Sequence, residues 1–255
     1  VGPLARPVAD AATLLAVMAG ADPRDPPASD EPLHLTRGTV RGLTFSLGDD
    51  YFTTELDEAV AAALTRARRL LRAAGLRETR TRIPLARDSG AIQYLIARPE
   101  STAVHLLDLA PARAGLIGAD VRARLALGHG IGAVDYLQAQ RARALLAAEV
   151  DAALQIADVL VVPTTAAGAL PIGATHALVA GRRQTQREIL VRCTAPFNLT
   201  GHPALALPAG FDRNGLPVSL QIVGRPYDEA TVLRVGAALE RALGLDIVPA
   251  IARTA

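Results

Sequence analysis

Two short apolar segments near the end of the chain, ALALP at 204–208 and PVSLQIVG at 217–224, flank a turn around Asn214-Gly215. Asn-Gly supplies the left-handed backbone that a tight reversal needs, and between apolar runs it is the strongest short-range signal for paired antiparallel strands. Upstream, ADVLVVPTT at 157–165 is a short, continuous, valine-rich run, the pattern of a strand buried on both faces. Such a strand needs helices on both sides of its sheet. The pattern therefore predicts an α/β fold, a mixed sheet flanked by helices on both faces.

The helices are legible from their apolar spacing. Thr54 is placed to cap a helix beginning at Glu55, with Asp57 reaching back, and Leu56, Val60, Ala63, Leu64, Ala67 and Leu71 give it one apolar face before Gly75 ends it. LTFSL at 43–47 alternates like a strand, and a further strand near 76–83 completes a strand-helix-strand unit. Arg66, Arg68, Arg69, Arg72 and Arg77 spread around that helix and its end, as a solvated face does rather than a polyanion site. Residues 88–157 read as mostly helical, broken by Pro99, Pro111 and several glycines, and 166–183 reads as loop. A last helix runs from its cap Asp228 through Glu240 to Gly244.

At the start, Arg6 followed by AATLLAVMAG at 11–20 imitates a short signal peptide. Pro7 at a first helical position and a face of Val8, Ala11, Ala12, Leu15 and Met18 favour a packed helix instead. The four prolines of residues 21–38 mark an exposed loop. With no repeat and no internal boundary, 1–255 reads as one unit. No apolar stretch reaches the roughly 18 residues a membrane helix requires, so no membrane contact is expected.

Composition narrows the chemistry. All 27 basic residues are arginine and none is lysine, which excludes a Schiff base, a P-loop phosphate lysine and a lysine general base within these 255 residues. One cysteine, Cys193, excludes an internal disulfide and makes a reducing cytoplasm the expected compartment. A net charge of +2, no Trp, four Tyr, four Phe and no run of five or six basic residues offer neither a phosphate track nor a stacking platform, so nucleic acid is not an expected partner.

The nucleophile candidates are weak. None of the five serines, Ser29, Ser46, Ser89, Ser101 and Ser219, sits in a G-x-S-x-G elbow. Cys193 and His202 suggest a thiol and its base, but a lone cysteine is usually a small buried apolar residue. The five histidines lack H-E-x-x-H spacing and any C-x-x-C companion, so no metal is expected. Gly128 to Ala133 match G-x-G-x-x-A, a string that reads more simply as a helix-helix loop than as a dinucleotide site, and no cofactor is expected.

The order of segments resembles the amidase-signature hydrolases, which cleave carboxamide C–N bonds. VGPLARPVADAATLLAVMAGADPRDP at the start carries the likeness, as do AVDYLQAQRARALLAAEVDAALQIADVLVVPTTAAGALPIG at 133–173 and TAPFNLTGHPALALPAGFDRNGLPVSLQIVGRPYDEATVLRVGAALE at 194–240, with the 42–84 unit more loosely. In that family a glycine- and serine-rich stretch before G-P-L-A-R supplies the nucleophilic serine, a cis-peptide serine and the oxyanion donors, and a lysine further upstream completes the triad. The resemblance therefore implies that 1–255 is the C-terminal part of the domain, an incomplete version of the family fold, and that no catalytic residue is carried over to any position here. Arginine cannot replace the lysine, because its guanidinium does not deprotonate near neutral pH.

By the same resemblance, the TAPFNLTGHPA loop lies beside the family's cleft, which makes Thr194, Phe197, Asn198 and Thr200 the candidate substrate-pocket residues. Ala206 and Ser219 stand where serine and glycine are commoner in the family, and His202 where an apolar residue is usual. Two functions follow as expectations. One is the C-terminal portion of an amidase for small amides, inactive as an isolated chain. The other is a non-catalytic or regulatory subunit, or half of a split amidase or an amidotransferase A-type subunit, that docks on a separate N-terminal half carrying the triad.

Overall fold

The computed structural model describes residues 2–25, 28–35, 38–107 and 113–245. Among these, five strands form one mixed sheet: β1 (Thr44–Ser46), β2 (Arg77–Glu78), β3 (Val159–Pro163), β6 (Ala204–Phe211) and β7 (Pro217–Val223). Their order is β2-β1-β3-β7-β6, with β1 parallel to β2 and β3, and with β7 antiparallel to both β3 and β6. The predicted hairpin is present, with Gly215 at φ 76 in the turn. A register shift between Pro208 and Gly210 bends β6.

Strand β3 shows why helices flank both faces. All five of its residues are buried: Val159 and Val161 point into one core and Leu160 and Val162 into the other, as the two-residue side-chain period requires. On the first face lie α3 (Glu58–Ala73) and α9 (Glu229–Leu243). They contribute Val60, Leu64, Leu71, Val232, Val235 and Leu239. On the second lie α4 (Ser89–Val104), α6 (Ala133–Ile156) and the short α8 (Ala195–Thr200), contributing Ile92, Ile96, Leu146, Val150, Leu154 and Phe197. Each fully buried aliphatic side chain of β3 is worth about 1.5–3 kcal/mol of transfer free energy. This strand is therefore the seam that holds the two layers together.

The helix ends obey capping chemistry. Asp228 accepts from Thr231 N–H at 3.2 Å, and Gly244 closes α9 in the left-handed conformation. The predicted start at Thr54 and Glu55 is corrected. Residues Asp50–Thr53 form a separate turn, α2, and α3 starts at Glu58. Its cap is Asp57, whose Oδ1 accepts from Val60 N–H at 2.8 Å while Oδ2 accepts from Gly168 N–H at 2.9 Å. One carboxylate satisfies both the helix and a distant loop, which the Thr54 hydroxyl cannot do.

Other expectations are adjusted too. At the start, α1 (Val8–Met18) has Pro7 as its N-cap and buries only Val8 and Ala11, against α9. The strand expected near 76–83 pairs only through Arg77 and Glu78. The 166–183 stretch, expected to be loop, contains one strand and the start of the other of a second, two-stranded sheet: β4 (His176–Val179) turns through Ala180-Gly181 into β5 (Arg182–Thr185), which leads into α7 (Gln186–Val191). Gly128 sits in a short 3₁₀ turn between α5 (Ala119–Ala126) and α6, where a Cβ would collide with Thr102 Oγ1 and the Arg98 carbonyl. Close packing explains that glycine, and no strand precedes it as a dinucleotide loop requires. Pro111 and part of the 21–38 loop lie outside the described residues.

Candidate functional site

In an α/β sheet, ligands gather at the carboxyl ends of the parallel strands. Here those ends are Ser46 on β1 and Pro163-Thr164 on β3, and α2, the start of α4 and the α7–α8 segment surround them. Thr164 Oγ1 is buried there without a hydrogen-bond partner among the described residues. Such an orphan hydroxyl at a strand end is unusual enough to mark the place.

Helix α8 is held against this end by long-range contacts. Gln221, 3% exposed on β7, donates from Nε2 to the carbonyls of Pro163 at 2.9 Å and Cys193 at 2.8 Å, joining the end of β3 to the residue before Thr194. Tyr51 Oη donates to the Arg192 carbonyl at 2.9 Å and lies 3.4 Å from Ser89 Oγ. Burial is the main force holding the Tyr51 phenol above its ordinary pKa, so it stays a donor. Arg192 Nη2 donates in turn to the Tyr51 and Thr54 carbonyls at 2.8 and 2.6 Å, with its guanidinium 5.5 Å from the Tyr51 ring centre.

The four candidate pocket residues fall in different environments. Thr194 is half-buried as the residue before α8, with its Oγ1 donating to Val191 O at 3.1 Å. Phe197 is 3% exposed and stacks on Phe52 with centroids 5.7 Å apart, inside the second core. Asn198 is exposed one residue further on, and Thr200 is half-buried. Gly201, at φ 77, ends the helix and turns the chain into β6.

Thr200 belongs to a chain of polar contacts. Its Oγ1 lies 2.9 Å from His202 Nδ1, and His202 Nε2 lies 3.1 Å from Asp151 Oδ1 on α6, with the imidazole 1% exposed. The Asp151 carboxylate accepts from Nε2, while Nδ1 and the Thr200 hydroxyl share the other contact. Thus His202 bridges α6 to the α8–β6 corner rather than serving Cys193. Burial is the first cause raising the Cys193 thiol pKa, which suits a packed sulfur and not an activated thiolate.

Ser46 and Ser89 are fully buried, Ser46 bonding Thr81 Oγ1 at 2.9 Å and Ser89 reaching only Tyr51. Among the described residues no serine hydroxyl has a histidine or carboxylate hydrogen-bond partner. Sequence reasoning missed Tyr51, Arg192, Asp151 and Gln221. Only Gln221 carried a signal, as an amide flanked by Leu220 and Ile222 in a mostly apolar strand segment.

With this geometry in place, the relationships to known proteins are direct. The chain matches the amidase family over residues 1–233. It is 38% identical over 252 residues to an amidase of Pseudomonas putida, covering 94% of this chain and 52% of that protein. The A-type subunit of the glutamyl-tRNA(Gln) amidotransferase of Chloroflexus aggregans is 35% identical over 274 residues, covering 94% and 54% respectively. A crystal structure of an amidase superposes with a TM-score of 0.80 at 28% identity, covering 94% of this chain and 52% of that one. This chain belongs to the amidase family, with the amidase-signature fold. It spans about half the length of the curated relatives it matches.

Proposed function

We propose that these 255 residues are the C-terminal part of an amide-hydrolysing enzyme, supplying scaffold and cleft wall but no nucleophile. The observation that carries this reading is the mismatch of coverage: 94% of this chain aligns, against 52% of the Pseudomonas amidase. The family's serines and lysine act as one unit, with neutral lysine drawing a proton through the bridging serine while backbone N–H groups hold the developing oxyanion. A chain with 27 arginines and no lysine cannot rebuild that relay. Its substrate would be a small amide, bound in a cytoplasmic enzyme.

In this reading Thr194, Asn198 and Thr200 face the substrate from the α8 wall, and Phe197 anchors the wall through Phe52. A fluorophosphonate probe tests it: the isolated chain should stay unlabelled. Labelling that a serine-to-alanine change abolishes would overturn it.

A second reading, in which the chain is a separate subunit that docks on a triad-bearing partner, gains support from one edge of the sheet. Strand β6 pairs with β7 alone among the described strands, and a groove of about 460 Å³ runs beside it, lined by Leu4, Val8, Leu205 and Leu207. An apolar strand edge of this kind suits the complementary half of an amidase or of an amidotransferase A-type subunit.

A further inference from the structure

Helix α6 is apolar on both of its faces. The inner one buries Ala139, Leu146, Val150, Ala153 and Leu154 in the second core, against α4 and α8. An amphipathic surface helix turns polar residues outward, and α3 does so: its exposed positions are alanines, Glu58, Thr65 and four arginines, with no large aliphatic side chain among them. On α6, by contrast, Val134, Leu137, Leu145 and Ile156 point outward at 72, 57, 62 and 56% exposure. Single apolar residues scattered over a surface are ordinary, whereas a contiguous row of them marks an interaction site.

The spacing makes these a row. Val134, Leu145 and Ile156 stand eleven residues apart, and eleven residues of about 100° each complete three turns with about 20° left over, so the three share one line along the helix. Exposed Arg141, Ala148 and Ala152 fill the line between them, over a length of about 33 Å. The order is palindromic about Leu145. A two-fold axis at that residue lays Leu145 on its own copy and Val134 on Ile156 of the other copy. The charges obey the same symmetry. In the antiparallel register Arg141 comes within about 3 Å, along the helix axis, of the level of Asp151 in the other copy, on the same flank of the row. Arg141 has no hydrogen-bond or ion-pair partner among the described residues. Asp151 engages His202 through Oδ1 alone, with its side chain 55% exposed.

We propose that the outer face of α6 is a self-association surface on which two copies of this chain pair antiparallel about Leu145. A face that is apolar on the axis and carries opposite charges at symmetry-matched levels is complementary to itself, which is what an isologous two-fold interface requires. It shares no residue with the β6 groove, which is lined by α1, α9 and β6 itself. Contact along one helix lies at the small end of specific interfaces, so the pair should dissociate at micromolar concentrations. The proposal is independent of where the catalytic groups of the enzyme lie.

Sedimentation velocity of the 255-residue chain across the micromolar range tests it. Monomer should give way to dimer, and Leu145→Arg, which sets two like charges on the axis, should raise the dissociation constant at least about tenfold with the melting temperature unchanged. Single cysteines read the register, the native Cys193 being buried. Under mild oxidation Leu145→Cys should cross-link to itself. Val134→Cys and Ile156→Cys should each stay uncross-linked alone and cross-link when mixed, since a disulfide needs Cβ atoms about 3.8 Å apart. Thr65→Cys, on the outer face of α3, should not cross-link. Should Leu145→Arg unfold, the cysteine pattern decides alone. Absence of both the dimer and the Leu145→Cys cross-link would overturn the proposal, as would a dimer that a folded Leu145→Arg leaves intact. A Val134→Cys self-cross-link, the mark of parallel pairing, would also overturn it. So would loss of the Leu145→Cys cross-link on adding the part of the Pseudomonas amidase that this chain does not match, which would give the face to that part.

Discussion

At one edge of the sheet, β2 pairs for only two residues, and its Glu78 carboxylate receives Arg68 and Arg72 of α3, both at 2.8 Å. At the other, β6 runs for eight residues with Ala204 and Ala206 exposed and Leu205 half-buried beside an apolar groove. Short length and charge are the usual means of closing an edge against further pairing, and β2 has both. Strand β6 has neither. Pro208 and the register shift that follows it interrupt the strand, which confines an added strand to the Ala204–Leu207 portion. Among the described residues, the sheet is thus finished on one side by arginines of α3 and carries no further strand on the other.

Four changes probe that contrast. The largest effect belongs to the inner face of β6. Leu207 is 3% exposed in the core beneath α3 and α9, so Leu207→Ala should cost about 2–5 kcal/mol in urea unfolding. A cost near zero would mean that β6 is not anchored by the core and that the open edge belongs to a loose strand.

Between the edges, Asp158 ties β1 to β3. Burial alone would raise its pKa, but Thr44 N–H at 2.8 Å, Thr44 Oγ1 at 2.9 Å and Arg225 at 3.2 Å together hold it below the ordinary carboxylate value. A depressed folded pKa adds stability that is present above the unfolded value of about 3.9 and lost as pH falls through the folded one. Asp158→Asn should therefore lower stability at neutral pH and flatten the loss between neutral and acid unfolding, as followed by melting temperature against pH. An unaltered acid limb would show that Asp158 does not tie the strands.

Smaller effects are expected at the edges themselves. Glu78→Gln breaks two partly exposed ion pairs and should cost about 0–1 kcal/mol, shrinking further in high salt. Ala206→Arg adds a charge to an exposed edge position and should leave the stability of the chain within about 0.5 kcal/mol. It should nevertheless prevent strand addition at β6, so the same variant that is silent in unfolding should be defective in docking.

Much of this architecture is written locally. The Asn214-Gly215 turn, the valine-rich β3 and the Asp228 and Gly244 caps each depend on neighbours a few residues away, and each is present where expected. The β4–β5 sheet was hidden because RRQT carries no apolar alternation and its reversal passes through Ala180 at φ 50, a conformation alanine rarely signals. Asp57 outcompetes Thr54 as a cap through Gly168, 111 residues away, which no local pattern encodes. The site is less legible for the same reason. Resemblance singles out the α8 segment, but what positions it, Tyr51 against Arg192, Phe52 against Phe197 and Asp151 against His202, joins residues 51 to 145 positions apart.

The chain, on this reading, contributes a wall and an open edge to an amidase whose reacting groups lie in sequence it does not contain. Ammonia release from a panel of small carboxamides puts this to the test, with the purified chain assayed alone and with the part of the Pseudomonas amidase that this chain does not match. The expected outcome is no release from the chain alone, release when the complementary half is supplied, and loss of that release in Ala206→Arg. Ammonia released by the chain alone, at a rate that a serine-to-alanine change abolishes, would contradict it.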